Sequence, residues 1–244
     1  YRRDLESDGL TRLALEAELR KAFISGEIHA WYQPIVDLKT GVIAGFEALA
    51  RWVHPKRGVI PPDHFLTATR DLGMMTDLGA IIMNTTAPLM ARWFRDHRLP
   101  QGFFVSVNLS APEIERLHLI EDGARVIRDH NLPRKTLKLE VTESVFMSEG
   151  TGAVKTLERV LDLGVRLALD DFGTGYSSLG YLSRTRFSSI KIDRSFVTAA
   201  SRGVPEALAI ICAVVALAKS LGMATTAEGV ETEDQARLLR LAGC

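Results

Sequence analysis

The sequence predicts an α/β fold, a (β/α)8 TIM-type barrel, on three observations. Segments rich in β-branched and aromatic residues alternate with stretches of helical apolar spacing, which implies a parallel sheet wrapped by helices. The chain has 244 residues, close to the roughly 250 typical of such a barrel. Nearly every expected strand also runs into an oxygen-bearing or cationic residue at its C-terminal end, and a barrel gathers those ends at one mouth. An open doubly wound sheet is the competing architecture.

In chain order, the charged run Arg2 to Asp8 reads as a solvated leading segment and Thr11 to Phe23 as a helix. Residues 1–12 are therefore expected to be a linker and 13–244 the folded domain. Strands are expected at Ala30–Val36, Val42–Ala48, Phe103–Asn108, Thr136–Val141, Arg166–Asp170, Ser189–Asp193 and Met223–Glu228. Helical spacing marks Phe65–Leu72, Thr76–His97, Ala111–His130, Gly150–Leu163, Ser177–Ser183, Pro205–Leu221 and Thr232–Leu241. Lys39-Thr40-Gly41 reads as the hairpin turn between the first two strands, and Trp93-Phe94 as core. The chain stops on Gly243-Cys244 directly after a helical pattern. The eighth strand is then lacking, and the sequence reads as a piece of something longer.

Thirty basic residues balance thirty acidic ones, so no global field draws in a nucleic-acid polymer or an anionic membrane. Any polyanionic ligand must be held by local chemistry. The longest apolar run, Ala207 to Ala218, falls short of the roughly 18–20 residues that cross a bilayer. Two cysteines, Cys212 and Cys244, give no disulfide framework, and with no secretory signal a cytoplasmic setting is expected. None of the six histidines pairs at metal-ligand spacing on a helix face, which disfavours zinc.

The strand ends carry the chemistry. Glu47 ends the second expected strand, Asn108 the third, Glu140 and Glu143 the fourth, and Asp170-Asp171 the fifth. Lys191 and Asp193 mark the sixth, and Glu228 ends the seventh. One such acid is usually a turn or cap residue. Many together at one mouth need cations to offset their mutual repulsion and burial. An all-oxygen donor set points to hard divalent ions, Mg²⁺ or Mn²⁺. The adjacent Asp170-Asp171 pair suits a bridge between two ions, as in two-metal phosphodiester hydrolysis. Lys191 could orient the attacking water or offset phosphate charge, and Gly173-Thr174-Gly175 allows a sharp loop beside these residues.

Six motifs in order carry a family resemblance: Phe46-Glu47-Ala48-Leu49-Ala50-Arg51-Trp52, Asn108-Leu109-Ser110, Glu140-Val141-Thr142-Glu143, Asp170-Asp171-Phe172-Gly173-Thr174-Gly175-Tyr176-Ser177-Ser178, Lys191-Ile192-Asp193-Arg194 and Ala227-Glu228-Gly229-Val230-Glu231. From about Leu13 onward the chain resembles the bacterial EAL-domain cyclic-di-GMP phosphodiesterases. The resemblance implies a barrel with its first strand antiparallel, two Mg²⁺ or Mn²⁺ ions, and hydrolysis of one phosphodiester of cyclic-di-GMP to linear pGpG. Glu47, Asn108, Glu140 and Asp170 then resemble ligands of one metal, with Asp170 bridging to a second held by Asp171. Glu228 and Lys191 resemble the pair that positions and deprotonates the water, and Glu143 the anchor of the loop Phe172–Ser178. Arg51 resembles a contact to substrate phosphate or guanine, and Gln33 is a further, weaker candidate for a ligand contact. The resemblance also implies a homodimer through Ser177–Ser183 and fusion to an upstream sensory or diguanylate-cyclase domain. Ca²⁺ is expected to occupy the site and inhibit, because its bonds of about 2.3–2.6 Å exceed the about 2.0–2.1 Å of Mg²⁺. The alternative is a degenerate domain of the same family that binds the dinucleotide or a partner without cleaving it.

Overall fold

A computed structural model describes residues 2–114, 119–148, 152–173, 180, 182 and 185–244. All seven expected strands form, and one sheet follows the path β1 (Ile28–Val36), β2 (Ile43–His54), β4 (Phe104–Asn108), β5 (Leu137–Thr142), β6 (Arg166–Phe172), β7 (Ser189–Ile192), β8 (Ala224–Ala227). β1 runs antiparallel to β2, and every later neighbour on the path is parallel. The result is a curled, incomplete barrel of the TIM type. Among the described residues, β1 and β8 are its edges.

The alternation of side chains across each strand separates two environments. Val105 and Val107, Leu137, Leu139 and Val141, Leu167 and Leu169, and Ile190 and Ile192 join the hydrophobic cluster beneath the helices. Between them Ser106, Lys138, Glu140, Asp170, Ser189 and Lys191 are buried polar residues on the opposite face, inside the barrel. That is why these strands read as nearly continuous apolar runs interrupted by charge. The inner floor is closed by aromatic and cationic stacking. Lys138 Nζ lies 3.4 Å from the centroid of the Phe104 ring, and the Arg166 guanidinium carbon lies 5.1 Å from it. Gly45 faces the same floor, where a Cβ would stand 2.5 Å from the Phe104 carbonyl oxygen.

The hairpin joining β1 and β2 turns as expected. Asp37 Oδ1 accepts from the Lys39 and Thr40 amides at 3.0 and 2.8 Å, and Gly41 takes φ +70°. Outside the barrel, Trp93 of α3 (Met75–Asp96) packs its ring 5.3 Å from Tyr32 and 5.2 Å from Phe46, centroid to centroid. These contacts fasten β1 and β2 to their covering helix.

The structure adds elements the spacing did not separate. α1 (Arg2–Ser25) begins well before Thr11. β2 runs on to His54 and folds back as the short β3 (Gly58–Ile60), before α2 (Leu66–Asp71). The stretch expected as Ala111–His130 holds α4 (Ala111–Ile114) and α5 (Leu119–Asp129), with residues 115–118 outside the described set. α6 (Val145–Ser148) and α7 (Gly152–Asp162) follow β5. An unexpected α8 (Arg194–Ser201) starts directly at the end of β7, followed by α9 (Pro205–Ser220) and α10 (Glu233–Ala242). The expected helix Ser177–Ser183 falls mostly outside the described residues.

Candidate active site

Parallel register brings the strand-end residues to one level of the mouth. Asn108 pairs with Glu140 across β4 and β5, and Thr142 with Asp170 across β5 and β6. Lys191 of β7 pairs with Thr226 of β8. The Glu228 amide donates to the Ile192 carbonyl at 3.0 Å, carrying the pairing one residue past β8. The chain then turns through Gly229 at φ +66°, where a Cβ would meet Arg194 Cβ at 2.6 Å. Only glycine suits both constraints.

Four carboxylates converge on one ammonium. Lys191 Nζ donates to Glu140 Oε2 and, at 3.1 Å, to Asp170 Oδ2. It forms ion pairs with Glu228 Oε1 at 2.5 Å and Glu47 Oε1 at 3.5 Å. Asn108 Nδ2 donates to Glu47 Oε1 at 3.1 Å. Six of the residues expected at the site are thereby in one cluster: Glu47, Asn108, Glu140, Asp170, Lys191 and Glu228.

Asp171 is placed differently. The β6–β7 register shifts between Leu169 and Phe172, and Asp171 adopts φ +53° while its amide donates to Asp170 Oδ1 at 2.9 Å. A regular strand would send adjacent side chains to opposite faces; a bulge re-aims them. Burial raises the Asp171 pKa, and the nearby Asp193 carboxylate raises it further. Asp193 itself is the N-cap of α8, accepting from the Ser195 amide at 2.9 Å. Glu143 is buried. Its Oε2 accepts from the Gly173 amide at 3.5 Å, while Oε1 has no hydrogen-bond partner among the described residues. Residues 174–179, to which the expected anchoring role and dimer contact extend, lie outside the described set. On the β1–β2 ribbon Gln33 stands opposite Glu47, so both share the mouth face, as does Arg51.

The electrostatics follow from gathering four acids, Glu140 and Asp170 buried and Glu47 and Glu228 partly so, around one base. Burial, then the Glu140 charge, pushes Glu47 up to about 7; burial, with Glu140 and Glu228, pushes Asp170 up to about 6. Burial alone would depress Lys191, but Glu140, Glu47, Asp170 and Glu228 outweigh it and raise its pKa. Stability should therefore depend on pH in the metal-free protein. Folded Glu47 and Asp170 keep protons that the unfolded chain has already released, so stability falls as pH rises from about 4.5 towards 7. Lys138, pushed down to about 7 chiefly by burial, loses stability only as pH falls towards that value and adds no slope below it. Melting in a chelator is expected to show Tm dropping by several degrees between about pH 5 and 6.5, with Mg²⁺ reversing more of the loss at the upper end. A flat or rising Tm across that range would contradict the carboxylate assignment.

Two features escaped the sequence reading. Lys138 is a second interior lysine below the cluster, hidden because it sits in an otherwise apolar strand. Trp31 shares the Gln33 face of β1 and is 49% exposed, with the Arg51 guanidinium carbon 5.9 Å from its ring centroid. Period-two alternation from Gln33 was the available signal.

The chain belongs to the EAL domain family, whose model matches residues 16–244. The bifunctional diguanylate cyclase/cyclic di-GMP phosphodiesterase MucR of Pseudomonas aeruginosa is 35% identical over 244 residues, covering 100% of this chain and 35% of MucR. The cyclic di-GMP phosphodiesterase PA2567 of the same organism is 36% identical over 216 residues, covering 88% of this chain and 36% of that protein. The solved PaMucR phosphodiesterase in complex with c-di-GMP matches with a TM-score of 0.89 at 36% identity, covering 95% of this chain and 92% of that one. This chain spans about a third of the length of these curated relatives. Among the described residues no helix is long and apolar enough to cross a membrane.

Proposed function

We propose that this domain hydrolyses one phosphodiester bond of cyclic-di-GMP to linear pGpG. The observation that carries the reading is the convergence of Glu47, Glu140, Asp170 and Glu228 on Lys191 at the C-terminal mouth of an EAL barrel. Two relatives named as cyclic di-GMP phosphodiesterases and a related domain solved with c-di-GMP support the choice of substrate.

The donor set suits hard divalent ions in kind and in charge. It is all oxygen, and with every group ionised four carboxylates face a single ammonium, an excess that cations would neutralise. The oxygens are drawn onto Lys191, and among the described residues no three acids, histidines or cysteines are already disposed as a metal cage. Glu47, Asn108, Glu140 and Asp170 would hold one Mg²⁺ or Mn²⁺, and Asp170 with Asp171 a second. Bound there, the ions would supply Lewis-acid polarisation of the phosphodiester and would lower the pKa of the attacking water. Glu228 accepts a proton from that water, and Lys191 beside it offsets charge developing on the phosphoryl oxygens. A P–O bond to water forms as the P–O bond to the ribose 3′ oxygen breaks. That oxygen takes up a proton, leaving a 5′-phosphate and a 3′-hydroxyl. Glu143 positions the turn at Gly173 and so Asp171. Gln33 and Arg51 hold the dinucleotide on the mouth face.

This reading goes with a cytoplasmic domain starting near Leu13, preceded by a leading segment, joined to an upstream sensory or cyclase domain, and paired as a homodimer. The deciding experiment is cleavage of cyclic-di-GMP by purified protein with Mg²⁺, Mn²⁺ or Ca²⁺. Turnover with Mg²⁺ or Mn²⁺ and inhibition by Ca²⁺ are expected, since the longer Ca²⁺ bonds misplace water and phosphate. Binding without cleavage in any metal would select the degenerate, sensing alternative, and equal rates in Ca²⁺ and Mg²⁺ would refute tightly positioned metals.

A further inference from the structure

We propose that Trp31 is the stacking platform for one base of the cyclic dinucleotide and a specificity-determining residue of the site; the inference rests on the reading of this domain as a cyclic-di-GMP phosphodiesterase. The register of the β1–β2 ribbon carries it. Gln33 pairs with Glu47 and Trp31 with Leu49, and paired residues of an antiparallel ribbon share a face. Glu47 marks the carboxylate end of that face through its ion pair with Lys191. Trp31 is therefore the diagonal neighbour of Glu47 on the same face, about 7–8 Å away, within one nucleoside's reach of a phosphate at the cluster.

Ala48 and Trp52, on the opposite face of β2, are buried against the helices. Trp31 instead leaves half its surface in water, beside Arg51. The guanidinium, 5.9 Å from the ring centroid, restrains the indole and puts hydrogen-bond donors beside it. A flat aromatic surface with a guanidinium beside it fits a guanine, which stacks through its π face and offers O6 and N7 as acceptors.

The test compares wild type, W31A and W31F on two phosphodiesters, cyclic-di-GMP and bis(p-nitrophenyl) phosphate, which has no base. Melting temperature serves as the fold control. W31A is expected to raise KM for cyclic-di-GMP about tenfold or more, with a much smaller loss on bis(p-nitrophenyl) phosphate and most of the affinity restored in W31F. Calorimetric titration of cyclic-di-GMP in Ca²⁺ should show the same ranking without turnover. Equal KM and equal affinity for W31A and wild type would overturn the proposal, as would a parallel loss on both substrates. If wild type cleaves neither substrate the phosphodiesterase reading fails, and the Ca²⁺ titration alone then decides whether Trp31 holds a base.

Discussion

Asp170→Asn is expected to lose at least about 10³-fold in cyclic-di-GMP turnover at saturating Mg²⁺. Asp170 contacts the Lys191 ammonium through Oδ2 and the Asp171 amide through Oδ1, so its carboxylate touches both halves of the site. Asparagine keeps the size and one acceptor oxygen but removes the charge a bridging ligand needs. The fold should survive, because burial raises the pKa of this acid, so a neutral amide of the same size relieves the desolvation that the carboxylate suffers. Kinetics over a Mg²⁺ series, with melting as control, check the result. Full turnover by the variant at high Mg²⁺ would show that Asp170 bridges nothing.

Lys191→Met should act on both stability and rate. Its ammonium is the common partner of Glu47, Glu140, Asp170 and Glu228. Removing it leaves an uncompensated buried cluster, at a cost of about 3–5 kcal/mol, and removes the charge beside Glu228, for a further rate loss of about 10²-fold or more. In a chelator the variant should melt well below wild type. Mg²⁺ should restore much of the melting temperature, since divalent ions can neutralise the same oxygens, but little of the turnover. A variant with wild-type Tm in the chelator would mean that Lys191 does not hold the four carboxylates together.

Much of this site is legible because of one topological fact. In a parallel barrel every strand delivers its C-terminal end to the same mouth, so Glu47, Asn108, Glu140, Asp170 and Glu228 can be grouped before any contact is known. Their separation by up to 181 positions, from Glu47 to Glu228, is no obstacle when each strand repeats the same geometry. Asp193 satisfies the same criterion, yet it caps α8. An acid followed two residues later by serine at a helix start accepts the amide of that serine, and local hydrogen bonding decided its role.

Sequence by itself determined the strands, the family and the kinds of side chain at the mouth, because periodicity and residue chemistry are local properties of the chain. The tertiary structure alone decided which of them meet. That Lys191 is the shared partner of four acids depends on how the sheet curls. That Asp171 departs from its neighbour depends on a bulge against β7. That Trp31 stays half in water while Trp52 is buried depends on which face of the β1–β2 ribbon the helices cover. Each is set by packing between segments far apart in sequence, where the burial of apolar area and the pairing of buried charge are settled together.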